Sequence, residues 1–171
     1  MVEGHKRKSH EHRKDLAGEY RWSDTGQFIL FLVFIIGMTA DVFVLKLFSM
    51  WQAAVPWYLP PLICLPFVIS GVYFGYKAHK KIFEEERTKL MVITTGVFAR
   101  TRHPLYFGII LIYLGFVILS LSVVALVIFF VLLVFYYYIS RYEEQILQTK
   151  LGDEYISYMK EVPMFLPKIR K

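Results

Sequence analysis

The sequence predicts an all-α, polytopic membrane protein of about four transmembrane helices, with a C-terminal helical hairpin followed by a cytosolic amphipathic helix. Three observations point there. Hydrophobic residues fill 56% of the 171 positions, a share typical of membrane rather than soluble domains. They fall into long runs, and about 20 such residues cross a bilayer as a helix. The basic residues are segregated: six lie in residues 1–26, seven in 77–102 and six from Arg141 onward, with Lys46 left over. The two outer turns hold none, so four spans with both termini cytosolic satisfy the positive-inside rule. An integral, multi-pass membrane protein is expected.

Composition narrows the function classes. The net charge of +6 sits in polybasic segments suited to anionic cytosolic lipid, which favours the bilayer over nucleic acid as partner. The single cysteine, Cys64, lies in an apolar run. It allows no disulfide within the chain and no thiolate metal site, and no metal is expected. The first apolar run is longer than a signal-peptide core, so a retained anchor is expected rather than a cleaved leader.

Residues 1–26 read as a polar cytosolic tail. His5, His10 and His12 lie there, but low apolar content favours a solvated tail over a metal tract. Residues 27–76 read as two transmembrane helices, Gln27 to about Met50 and about Trp57 or Pro61 to Tyr76. Asp41 interrupts the first, with Lys46 five residues on. A charge at that depth faces protein or a cavity, or lies close enough to the far interface to snorkel or pair. It also leaves open a four-helix transporter. Trp51–Pro61, rich in aromatics and prolines, reads as an interfacial turn. Gly71 and Gly75 permit close packing, within a monomer or a homodimer.

Residues 77–171 read as a loop, a helical hairpin and a C-terminal segment. The loop, 77–102, should carry a short surface helix around 78–90. A third span runs from Pro104 to about Leu119 and a fourth from Leu121 to about Ile139. The break at Ser120-Leu121-Ser122 is weak, but one unbroken helix of about 36 residues would be some 54 Å long, too long for a bilayer. Gly108 and Gly115 should let the two arms of this hairpin pack tightly. Arg141–Leu147 carries the fourth helix out of the membrane. Residues 151–158 form an amphipathic helix, and Pro163 and Pro167 end it in an extended tail.

The chemistry concentrates at the hairpin entrance. Pro104 suits the first turn of a helix, which puts His103 at the N-cap, the positive helix end. Tyr106 shares a face with His103, and Gly108 leaves room for close approach to the backbone. Such an entrance suits a ligand with a negative or hydrogen-bond-accepting group. Antiparallel arms bring Arg141, Glu143 and Glu144 to the same end. The result is a pocket with a cation, an imidazole, a phenol and two carboxylates. The same residues would also serve as a snorkelling cap at the membrane edge.

Gly96-Val97-Phe98-Ala99-Arg100-Thr101-Arg102-His103-Pro104-Leu105-Tyr106-Phe107-Gly108 resembles the motif of the isoprenylcysteine carboxyl methyltransferase and phospholipid methyltransferase superfamily. So does the second half: Arg141, Glu143-Glu144, Leu147, Leu151-Gly152-Asp153-Glu154-Tyr155, Tyr158, Val162-Pro163 and Leu166-Pro167. The resemblance covers roughly residues 90–169, and the first two spans show no family motif. It implies an integral membrane enzyme using S-adenosylmethionine, with this C-terminal half as the catalytic, cofactor-binding unit and a lipophilic methyl acceptor entering from the bilayer. It implies that His103, Tyr106 and the backbone around Pro104 and Leu105 contact the cofactor, beside Arg102 and Gly108. Glu144, with Glu143, would take the amino group, and Arg141 would sit nearer the acceptor. Arg141, Glu144 and His103 are then the candidate catalytic residues.

The chemistry of the cofactor agrees. A helix N-terminus with Arg102 and His103 suits its carboxylate, and a glutamate suits its ammonium. Carboxyl methyltransferases of prenylated proteins commonly carry Asn-Pro at the hairpin turn, where this chain has Ser120-Leu121-Ser122 and no Asn anywhere. The acceptor stays open among a phospholipid amine, a prenylcysteine-like carboxylate and a small lipophilic thiol. No Gly-rich strand-to-helix turn is present, so the fold is not a Rossmann sheet. A second enzyme class, a nicotinamide-dependent lipid reductase, would need the basic loop 77–102 for its phosphates.

Overall fold

The computed structural model describes residues 23–47, 49–84 and 91–168, and every regular element among them is a helix. These are α1 (Ser23–Ala40), α2 (Ser49–Ala54), α3 (Leu59–His79), α4 (Pro104–Ser120), α5 (Val123–Leu151) and α6 (Asp153–Glu161). Three helical segments, Asp24–Leu45, Leu59–Ile82 and Val123–Leu151, are long and apolar enough to cross a membrane. The fourth apolar helix, α4, has 17 residues; at 1.5 Å per residue that is about 25 Å, the lower limit for a span. Large apolar side chains such as Phe28, Ile36, Leu62, Ile69, Val127 and Tyr138 are exposed along these helices, as expected where lipid rather than water is the solvent.

The helices pack in the order α3, α4, then α5 with α1. Close approach of α3 and α4 rests on glycine. A Cβ built at Gly108 would lie 2.6 Å from Gly71 O and 2.9 Å from Gly75 N, and one built at Gly71 would lie 2.5 Å from Gly108 O. Gly115 continues this face against Val68 and Cys64. Two expectations change here. The Gly108–Gly115 face packs on α3, not on the other arm of the hairpin, and the space beside Gly108 is filled by the α3 backbone rather than left for a ligand. The opposite side of α4 buries Tyr106, Tyr113 and Val117 against Phe34 of α1 and Phe129, Leu132 and Tyr136 of α5. Phe34 meets Tyr113 edge-on, with ring centroids 4.7 Å apart.

Asp41 faces protein. It is 1% exposed, and its Oδ2 accepts from Ser122 Oγ (2.6 Å) and Val124 N (3.2 Å) at the start of α5. Its Oδ1 accepts from Leu47 N at 3.2 Å. Lys46, its nearest cation in sequence, instead closes the end of the first span in a left-handed conformation, φ 49°. Ser122 also caps α5 by accepting from Ala125 N at 3.0 Å. A carboxylate at a helix N-terminus is well placed for the dipole and the orphan amides. So Asp41 pins the first span to the hairpin turn, and the observation that favoured a transporter has a packing explanation.

Other boundaries shift. The Trp51–Pro61 connection contains the short helix α2 rather than only a turn. The expected surface helix around 78–90 begins as the end of α3, which widens into a π turn at Lys80–Glu84. Its remainder, 85–90, lies outside the described residues, as do residues 1–22 with His5, His10 and His12.

Candidate active site

His103 is the N-cap of α4 and Pro104 its first residue. The first bond of the helix runs from Phe107 N to His103 O at 2.9 Å. Leu105 and Tyr106 form the first turn of α4, the positive end of its dipole. At this same end α5 presents Glu143 and Glu144, and α6 packs beside them.

Glu144 is the centre. It is 1% exposed. Its Oε1 receives Arg102 Nε at 2.7 Å and His103 Nε2 at 3.1 Å. An ionised carboxylate only accepts, so this contact fixes the ring proton on Nε2. His103 Nδ1 faces Glu143 Oε2 at 3.7 Å, and the Tyr106 hydroxyl donates to Glu143 Oε1. The His103 and Tyr106 rings stack, 5.8 Å apart and 10° from parallel.

Arg102 holds three elements together. Its Nη1 donates to Met159 O (2.8 Å) and Val162 O (2.9 Å) at the C-terminal end of α6. A guanidinium there satisfies carbonyls the helix leaves open and complements its dipole. Two of its three nitrogens are thus engaged within the protein, so its part in the site is to hold Glu144 rather than to meet a ligand anion.

A strap formed by residues 163–168 crosses the entrance. Arg102 N donates to Pro163 O (2.9 Å), His103 N to Met164 O (3.2 Å) and Lys168 N to Arg100 O (2.8 Å). Thr101, fully buried, adds Oγ1 to Met164 O at 2.7 Å. The strap lays Phe165 against His103 at 6.1 Å between ring centroids. Behind it, Tyr158 donates to Phe98 O at 2.7 Å, tying α6 to the 3-10 turn Gly96–Ala99. Burial raises the phenols of Tyr155 and Tyr158 well above their ordinary value, so Tyr158 stays a hydrogen-bond donor.

One oxygen of the cluster is orphaned. Glu144 Oε2 is buried and makes no hydrogen bond. Leaving a charged acceptor unpaired is costly, which makes it the natural seat for a cationic donor.

Of the residues expected from sequence, Arg102, His103, Pro104, Leu105, Tyr106, Glu143 and Glu144 gather at one end of the bundle. Gly108 does not belong to this cluster; it packs on α3. Arg141 is exposed and outside the buried cluster. Sequence reasoning gave no role to Thr101, Tyr158 or Phe165. The Tyr155–Tyr158 spacing on an amphipathic helix is a signal that could have found the buried phenols; the proline pair predicts an extended tail, but nothing local signals that it folds back onto residues 100–103. Among the described residues no group of three His, Cys, Asp or Glu side chains is placed to hold a metal ion.

A helical membrane protein with a buried acid–base cluster at one end of its bundle is the class that fold and site define. A family profile described as phospholipid methyltransferase matches residues 67–154, just over half of the chain. The chain belongs to the phospholipid methyltransferase family and is a membrane methyltransferase. The match contains Arg102, His103, Glu143 and Glu144. It begins within α3, so the family likeness reaches into the second span, further than the motifs read from sequence. No curated protein matches the chain.

Proposed function

We propose that the protein moves a methyl group from S-adenosylmethionine to a lipophilic acceptor at the cytosolic face of the membrane, with both termini on that side. The observation that carries this reading is Glu144 Oε2, a buried carboxylate oxygen with no hydrogen bond, at the same end of the bundle as the N-terminus of α4. The amino-acid end of the cofactor has an ammonium for the first and a carboxylate for the second. When bound, the cofactor supplies a methyl group on a cationic sulfur.

The residues of this chain then have distinct tasks. Arg102 and His103 hold Glu144 Oε1, which leaves Oε2 as the acceptor for the ammonium. Leu105 lies in the first turn of α4, whose dipole favours the carboxylate. Methyl transfer is an in-line displacement, so holding donor and acceptor in line supplies much of the rate. A carboxylate beside the sulfonium itself would stabilise charge that disperses in the transition state, and Glu144 suits the far end of the cofactor better. The family description favours a phospholipid amine as acceptor. An amine must lose a proton, and His103 and Glu143 are the residues suited to take it. Arg141, exposed one turn before Glu144 on α5, suits an anionic headgroup.

The test is calorimetric titration of the detergent-purified protein with S-adenosylhomocysteine, beside Glu144→Gln. Saturable binding is expected in the natural protein, with at least tenfold weakening in the variant, measured at a temperature where both remain folded. No binding in folded protein supplied with lipid would overturn the reading.

A further inference from the structure

Glu144 Oε2 has a companion. Ser140 Oγ is also buried and makes no hydrogen bond, and these are the two such side-chain atoms among the described residues. Ser140 lies one turn from Glu144 on α5, so the two share a face. Their neighbours define what that face meets. One turn deeper, Tyr136 tilts against Tyr106 of α4 at 5.3 Å between ring centroids. One turn the other way, Glu144 meets His103 at 3.1 Å. Ser140 therefore stands between these two contacts, opposite the stacked His103–Tyr106 pair.

A serine inside a helix has an easy remedy for burial: it bonds the carbonyl one turn back. Ser140 does not, although it is fully buried. Alanine would fill the same face without an unpaired hydroxyl, so the hydroxyl is unexplained by packing.

We propose that Ser140 is a ligand-binding residue, its Oγ and Glu144 Oε2 together receiving one primary ammonium group. This rests on the reading of the site as the methyl-donor pocket. A primary ammonium has three N–H donors and can meet both oxygens at once. A sulfonium or a quaternary ammonium has none. An anion is disfavoured by the carboxylate. Two sources carry a primary ammonium: the amino-acid end of the methyl donor, and the amine headgroup of an unmethylated acceptor lipid. From either source, the pair of oxygens selects a primary ammonium over a quaternary one.

The experiment titrates natural protein and Ser140→Ala with S-adenosylhomocysteine, with methylthioadenosine, which lacks the ammonium, and with phosphatidylethanolamine vesicles. The melting temperature of each ligand-free protein is taken alongside. The expected result is about tenfold weaker S-adenosylhomocysteine binding in Ser140→Ala, the equivalent of one hydrogen bond to a charged group, with methylthioadenosine unchanged. The ligand-free variant should melt no lower than the natural protein. Unchanged nucleoside binding with weakened binding of the ethanolamine lipid supports the same site and assigns its ammonium to the acceptor. Unchanged affinity for all three ligands overturns the proposal, as does equal weakening of methylthioadenosine. A lower melting temperature with unchanged affinities makes the hydroxyl structural and overturns it too. Failure of the natural protein to bind S-adenosylhomocysteine overturns the methyl-donor reading itself, and this inference with it.

Discussion

Arg102 Nε and Glu144 Oε1 stand 2.7 Å apart with side-chain exposures of 10% and 1%, and the same guanidinium rests on two carbonyls at the end of α6. One cation thereby joins the start of α4, the exit of α5 and the end of α6. Removing one partner of a buried pair strands the other charge. Arg102→Ala is expected to destabilise by about 3 kcal/mol, and Glu144→Gln by less, since Gln keeps an oxygen for the same donors. Chemical unfolding in detergent checks the order. Arg102→Lys should recover only part of the loss, because a lysine lacks the fork that reaches Glu144 and α6 together.

Gly71 and Gly75 are alike in sequence and unlike in place. A Cβ at Gly71 meets the Gly108 carbonyl oxygen at 2.5 Å, whereas one at Gly75 meets nothing within 4 Å. Gly71→Ala is expected to cost about 1–3 kcal/mol by forcing α3 from α4. Gly75→Ala should be neutral or stabilising by about 0.5 kcal/mol, through helix propensity. Melting curves of the two variants side by side make the comparison.

Asp41→Ala should lower stability by about 2 kcal/mol, since it removes a cap and leaves Ser122 and Val124 without their acceptor. S-adenosylhomocysteine affinity should be unchanged. Loss of affinity at full stability would instead link the two ends of the bundle.

Tyr158→Phe should cost about 1 kcal/mol, the value of its bond to Phe98 O. The phenols of Tyr155 and Tyr158 are raised by burial above the ordinary 10.0. Above pH 10 the unfolded chain loses these protons while the folded one keeps them. The stabilisation is therefore complete below pH 10 and is lost as the pH rises beyond it. Unfolding free energy measured from pH 8 to 11 should fall above 10, and less steeply in Tyr158→Phe.

The parts of the site legible in the sequence are those set by local chemistry. Proline at the start of an apolar run fixed the α4 entrance, and antiparallel arms fixed the meeting of His103 with Glu144. Glycine is different. The absence of a side chain at Gly108 permits a ligand or a helix, and only the partner, Gly71, decides. Arg141 is adjacent to Glu143 and Glu144 in sequence but exposed, and only the folded helix shows that it lies outside their buried cluster. The partner of Asp41 is 81 residues away at Ser122, and the strap meets Arg102 and His103 across about 60 residues. Pairings that distant leave no periodic trace.

The strap has a consequence for biosynthesis. Its backbone bonds to residues 100–103 cannot form until some 60 further residues have left the ribosome. By then α4 and α5 are made and can enter the bilayer. Spans and glycine contacts need nothing from residues 163–168, but the entrance does. A nascent chain would thus assemble its membrane part with the entrance unfinished and complete that entrance last, once residues 163–168 are free to fold back.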